Sequence, residues 1–242
     1  MYLRGVHAES HIPTLQRFIK TNSLGLFTTA IAAPDLPFIQ TSHIPWVLDV
    51  ENESSQNGLG VLRGHIARQN PQSKAMIHAG LPTVSGGTDG GVKLDTDVLV
   101  LFTGSAYHYV TPKFYTETKS ATGKVVWNHS AVQAYGKATV YFDKSKESKE
   151  FLAQQISHLS NHAETSKNPW KVPDALAPYV EIMQRNIIGI KIEIPSLGGK
   201  FKMSQEMGAK DCVGVIEGFE NLGTEVGMDI AQSVLDRQNI MK

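Results

Sequence analysis

The spacing of apolar residues changes character several times along the chain, and each change marks an element. Ile12, Leu15, Phe18 and Ile19 recur at helical spacing behind Ser10, which can cap a helix that Asn22 and Gly25 end. Residues 24–33 and 39–49 then read as strands separated by a turn at Pro34, Asp35 and Pro37, and 59–66 as a third strand after a polar loop at 51–58. Asn70 followed by Pro71 predicts a helix start, a capping side chain and then a proline at the first helical position, with Gly80 closing a short helix. Beyond a flexible glycine-rich loop at 85–91, strands are expected at 97–103, 106–110 and 132–142, with a polar loop at 116–124. Asp143 can cap a helix over 144–161, and a second helix is expected over 178–185. Ile188, Ile190, Ile192 and Ile194 alternate along a further strand, 200–205 reads as a short one, and the tail from Gly208 is helical in composition. About seven strands at hairpin spacing, with helices at the ends and in one insertion, favour a mainly β (α+β) fold, an antiparallel barrel with peripheral helices, over parallel βαβ units.

Composition narrows the classes. In 242 residues, 23 Lys and Arg balance 23 Asp and Glu, and 41% of positions are apolar, as in an ordinary folded domain with room for a sizeable core. Zero net charge argues against gripping nucleic acid or anionic lipid by bulk electrostatics, and the segment from Lys200 carries five basic against seven acidic residues. A single cysteine, Cys212, fits a reducing compartment and reads as a small buried hydrophobe. There is no secretory leader pattern and no apolar run long enough for a membrane span, so a soluble cytoplasmic protein is expected, with the nucleus as the alternative.

The segment from Arg63 to Pro71 carries the sharpest chemical signal. A helix start offers unpaired N–H groups and the positive end of the dipole, Arg63 and Arg68 add charge-assisted donors, His65 another, and Gly64 allows close backbone approach by a ligand. These residues together suit a ligand phosphate, although a strand-to-helix turn with solvated arginines has the same look. Thr41, Ser42 and His43 offer polar groups beside an apolar strand half, which a polar heterocycle could use, though strand hydroxyls are ordinary. Trp127, Asn128 and His129 set a ring, an amide and an imidazole side by side; a tryptophan in the core is the plainer reading. His158 and His162 have i, i+4 spacing but lack a third ligand, so no metal is expected. The sequons at Asn52 and Asn128 have no bearing without secretion, residues 86–91 match no nucleotide-binding loop, and no GxSxG elbow is present.

Several stretches taken together resemble the PaiB family (transcriptional regulator, PAI 2-type) of the FMN-binding split-barrel group. They are Thr41-Ser-His-Ile-Pro45, Leu62-Arg-Gly-His-Ile-Ala-Arg-Gln-Asn-Pro71 and Leu101-Phe-Thr-Gly-Ser-Ala-Tyr-His-Tyr-Val-Thr-Pro112. Further on come Lys124-Val-Val-Trp-Asn128, Val132-Gln-Ala-Tyr-Gly-Lys137, Ile187-Ile-Gly-Ile-Lys-Ile-Glu193 and Gly199-Lys-Phe-Lys-Met-Ser-Gln205. The resemblance implies a split β-barrel over 1–221 with a helical insertion at about 144–185, and a C-terminal helical extension over 222–242. It implies a homodimer holding FMN at the subunit interface. Thr41, Ser42 and His43 would then lie near the isoalloxazine or ribityl chain, and Arg63, His65, Ile66, Ala67, Arg68 and Asn70 around the ribityl chain and phosphate. Trp127 and Asn128 would approach from the partner subunit or line the dimer groove, and Lys200, Lys202, Ser204 and Gln205 would form the rim. The chain departs from the family at His129, where an aromatic is usual, in a longer stretch at 81–95, and in its tail.

The function expected is that of a flavin-dependent oxidoreductase on a small molecule, with His65 or His129 as proton donor. The alternatives are a non-catalytic regulator, which neutral charge and the lack of a helix-turn-helix or basic stripe do not favour, and a haem-binding or haem-turnover protein, for which no histidine spacing marks an axial ligand.

Overall fold

A computed structural model describes residues 1–50, 58–85, 90–118 and 125–240. The loops expected at 51–58, 85–91 and 116–124, the longer stretch at 81–95 and the final two residues lie wholly or partly outside that set. In chain order the described elements begin β1 (Ala8–Glu9), α1 (Ile12–Thr21), β2 (Leu24–Ala30), β3 (Ile39–Asp49), β4 (Val61–Ala67), α2 (Pro71–Ser85) and β5 (Val92–Thr103). They continue β6 (His108–Val110), β7 (Val126–Tyr141), α3 (Lys146–Ala163), α4 (Ala177–Arg185), β8 (Ile187–Glu193), β9 (Ser196–Lys202), α5 (Ala209–Glu220) and α6 (Glu225–Ile240).

These elements fall into two compact units, one of Ile19–Phe102 and Ala134–Leu197 and the other of Met1–Phe18, Thr103–Gln133 and Gly198–Lys242. In the first, β2 pairs antiparallel with β3, β3 with β4, β4 with β8, β8 with the end of β7, and β7 neighbours β5, which returns to β2. Six strands thereby close into an antiparallel barrel, which leaves no free edge among them. Period-two alternation fills its interior: Ile188, Ile190 and Ile192 are fully buried, as are Phe27, Leu62 and Val100. Trp46 is 1% exposed and stands opposite Gly64, where a Cβ would come within 2.9 Å of its ring. The missing side chain of Gly64 therefore makes room for Trp46 and not for a ligand, contrary to the sequence expectation.

The helix start at Asn70 is as expected: the Gln72 N–H donates to Asn70 Oδ1 at 2.8 Å and Pro71 opens α2. Gly80 does not close that helix, which runs on to Ser85; it is buried where a Cβ would stand 2.9 Å from the Phe142 ring, so packing and not termination selects glycine. Ser145, not Asp143, caps α3, its Oγ accepting from the Ser148 N–H at 3.1 Å. Asp143 lies just outside the helix and accepts from the Ser145 N–H and hydroxyl, the Ser148 hydroxyl and the Gly90 N–H. β5 begins at Val92, five residues before expected, because Lys93 and Asp95 alternate outward against buried Val92 and Leu94.

In the second unit β1 pairs with β9, and β6 pairs with the first half of β7 in the register Tyr109–Trp127 and His108–Asn128. Strand β7 starts at Val126, so Trp127, Asn128 and His129 are strand residues. The stretch 200–205 is not a separate strand: β9 ends at Lys202, and Ser204 turns the chain with a left-handed φ of 59°. Helices α5 and α6, which carry most of the tail, bury Val215, Phe219, Ile230 and Val234 against Val110, Tyr115, Val126 and Met203. Among the described residues no helix is long and apolar enough to cross a membrane.

Candidate functional site

The β3–α2 junction of the barrel unit is where hydroxyls, amides and a helix start meet. On β3, Ser42 shares a face with Ile44 and Trp46, whereas Thr41 and His43 are exposed on the other face. Asn70 Nδ2 donates to Ser42 Oγ at 3.1 Å, and Thr41 Oγ1 lies 2.9 Å from Thr28 Oγ1. Thr41, Ser42 and Asn70 line a cavity of about 470 Å3 together with Gln40, Pro71 and Gln72. Gln72 is fixed by three hydrogen bonds from Nε2, to Phe27 O at 3.0 Å, Thr29 Oγ1 at 3.1 Å and Gln40 O at 3.2 Å. Its Oε1 and Gln40 Nε2 are buried without a hydrogen-bond partner. Both glutamines line the cavity, but these two atoms are sealed from solvent, so a ligand would reach them only if the side chains turned. The sequence reading missed both glutamines, because a glutamine amide on a strand or in a first helical turn carries no distinguishing local signal.

The segment from Arg63 to Asn70 does not converge on one cavity. Arg63 and His65 alternate with Leu62, Gly64 and Ile66, whose side chains face the barrel core, so Ile66 has only its backbone to offer. Arg63 is held 3.6 Å from Asp49 and lines a separate space of about 230 Å3 with Tyr141, Phe151, His158 and Lys191. Arg68 faces a third cavity of about 650 Å3 and spends two donors on backbone carbonyls, Phe142 O at 2.6 Å and Arg185 O at 3.2 Å. Ala67 is exposed at the strand end. Burial pushes the His65 imidazole below its usual pKa, and its Nδ1 is buried without a partner.

The remaining expected residues belong to the other unit. Trp127 is 55% exposed, in contrast to the core position read from sequence, and packs edge-on against Tyr109 with Tyr107 nearby, both also exposed. Asn128 is fully buried and exchanges hydrogen bonds with Ser204, at 3.1 Å from its Nδ2 to Ser204 Oγ and 3.2 Å back from Ser204 Oγ to its Oδ1. Gln205 brackets the same turn, accepting from the Met203 N–H and donating to Phe201 O. Cys212 Sγ donates to Ser204 O at 3.3 Å, and burial pushes its thiol pKa up. Ser204 and Gln205 thus build the bend, while Lys200 and Lys202 are half-buried on β9. Burial lowers the pKa of His129; its hydrogen bond to Trp127 O opposes this, and Lys200, Lys202 and His7 add to the lowering. Both candidate imidazoles are therefore neutral at neutral pH, which suits accepting a proton or a hydrogen bond better than giving a proton up. His158 and His162 both lie on α3, and among the described residues no three of His, Cys, Asp or Glu gather as a metal-ligand set.

A closed six-stranded antiparallel barrel with a capped helix entering beside β3, and a cavity of hydroxyls and amides at that entry, defines a split-barrel protein with room for a polar heterocycle. The chain belongs to the family described as "Putative FMN-binding domain", whose model matches residues 1–196. It is 54% identical over 254 residues to an uncharacterized protein of Aspergillus fumigatus, covering 98% of this chain and 97% of that one. It is 23% identical over 238 residues to the protease synthase and sporulation protein PAI 2 of Bacillus subtilis, covering 98% of both. Among solved structures, a conserved hypothetical protein of Mycobacterium tuberculosis superposes with a TM-score of 0.49 at 10% identity, covering 86% of this chain and 94% of that one.

Proposed function

We propose that this protein binds FMN at the β3–α2 cavity and acts as a flavin-dependent oxidoreductase on a small molecule, working as a homodimer. The observation that carries the reading is the meeting of Ser42, Asn70 and the start of α2 in the lining of one cavity, with Asn70 hydrogen-bonded to both. The cavity, about 470 Å3, lies in the range that cofactor sites occupy. The Ser42 hydroxyl and the Asn70 amide suit a ribityl chain, with Thr41 at the exposed edge. Family membership points to the same cofactor.

Bound FMN would supply hydride or electron transfer, and the protein the binding, orientation and exclusion of water. Asn70, tied to both Ser42 and the first turn of α2, would keep the two walls in register. Among the described residues no cationic side chain lines this cavity, so the phosphate would rest at the positive end of the α2 dipole and on charges from a second subunit. The exposed Tyr107, Tyr109 and Trp127 are the kind of aromatic surface that a partner covers. His65 lines neither this cavity nor the two others described above, and burial keeps its imidazole neutral.

Purified protein incubated with FMN and then desalted tests the cofactor. Retained flavin absorbance, with quenched flavin fluorescence, is expected at about one FMN per chain. Protein that stays colourless, or that takes up haem with a Soret band in its place, overturns the reading.

A further inference from the structure

The 650 Å3 cavity has no part in the flavin site proposed above, yet its lining is chemically distinctive. It lies in the barrel unit, where the end of β7 meets α3 and α4. Phe142 and Leu152 form an apolar wall, and four cationic side chains, Arg68, Lys144, Lys149 and Arg185, reach the same space. Among the described residues two carboxylates line it, and both are engaged: Asp143 accepts donors from Ser145, Ser148 and Gly90, and Glu181 pairs with Arg185 at 3.5 Å.

Arg68 decides the matter. Its guanidinium is half-buried, and its partners are two neutral carbonyls rather than a carboxylate. Burial alone pushes its pKa down. Among the described residues no carboxylate forms an ion pair with it, so an anion in the cavity would meet a half-buried cation that has no counter-ion. The two carbonyls also pin the planar fork, so the donors not spent on them are already oriented. Lys144 and Lys149 are exposed at the rim, and neither forms an ion pair among the described residues.

We propose that this cavity binds a small amphipathic anion, with its carboxylate or phosphate held by Arg68, Lys144 and Lys149 and its apolar part against Phe142 and Leu152. The site is separate from the flavin cavity, and the proposal stands whether or not FMN binds there.

Calorimetric titration of the full chain with pyrophosphate, and separately with octanoate, tests it, each with FMN-free and FMN-saturated protein. At least one probe is expected to bind with the same affinity in both states. Binding of pyrophosphate alone marks a phosphate ligand, of octanoate alone a carboxylate, and either supports the site. In the double variant Lys144→Ala, Lys149→Ala, both at exposed positions, affinity is expected to fall about tenfold or more, and in Arg68→Lys, which keeps the charge but loses the fork, by a comparable factor. No binding of either probe, or affinity unchanged in the double variant, overturns the proposal. So does binding abolished by FMN, which would give the cavity to the flavin's own phosphate.

Discussion

One amide does two structural jobs at Asn70: its oxygen caps α2 through the Gln72 N–H, and its nitrogen reaches Ser42 on β3. An N-cap of this kind contributes about 1 kcal/mol to a helix, but here the same side chain also fixes a cavity wall. His65 is the other residue whose environment has a measurable consequence. Its folded-state pKa lies below the unfolded value of about 6.5 because burial disfavours the imidazolium. Between the two values the unfolded chain holds more protons than the folded one, so this contribution is complete above about pH 6.5 and drains away as pH falls through it toward the folded pKa. Urea midpoints measured from about pH 7.5 down to about pH 5.5 should therefore fall less in His65→Gln than in the wild type. Parallel curves for the two proteins would contradict the buried, neutral imidazole.

At the scale of elements, β4 shows how one strand serves two surfaces. Its inward residues Leu62, Gly64 and Ile66 pack the barrel, while Arg63 and His65 lie on the other side. Gly64 yields its side-chain volume to Trp46, whose ring atoms would stand 2.9 and 3.1 Å from a Cβ, with Pro45 O at 3.3 Å. Trp46 is almost wholly buried and cannot swing away, so Gly64→Ala should destabilise the barrel by about 1–3 kcal/mol, read as a lower urea midpoint. An unchanged midpoint would show that the ring has slack.

Elements written in local chemistry were legible beforehand. Asn70-Pro71 announced α2, and the isoleucines of β8 announced its buried face, because a cap and an alternation involve only near neighbours. Gly80 misled, since a glycine that ends a helix and one that lets a phenylalanine approach look alike in sequence. Asp143 misled for a similar reason: an aspartate two residues before a serine can take either role, and Ser145 is the one in register with the Ser148 N–H. The candidate site was legible in part. Thr41, Ser42 and Asn70 do line one cavity, but Arg63 and Arg68, five residues apart, face different ones. The cavity that receives Arg68 is made by Phe142, Leu152 and Arg185, far off in sequence, and no spacing near residue 68 encodes that.

For the molecule as a whole, the balance of 23 basic and 23 acidic residues hides a local imbalance, because cations gather where α3 and α4 meet the barrel. The β3–α2 cavity has the opposite character: among the described residues its lining holds amides, hydroxyls and apolar side chains and no cation. The two cavities, both in the barrel unit, are chemically distinct, and one substitution can address one without touching the other. Ser42→Tyr does this for the β3–α2 cavity. It replaces the hydroxyl that accepts from Asn70 with a bulky ring at a lining position of the 470 Å3 space, and Ser42 does not line the Arg68 cavity. Titration of FMN into wild type and Ser42→Tyr, followed by quenching of flavin fluorescence, is the most direct measurement of where the cofactor sits. Weakening of FMN binding by about tenfold or more, in a variant that still unfolds cooperatively in urea, is the result expected of a flavin seated between β3 and α2; equal affinity in the two proteins would contradict that placement.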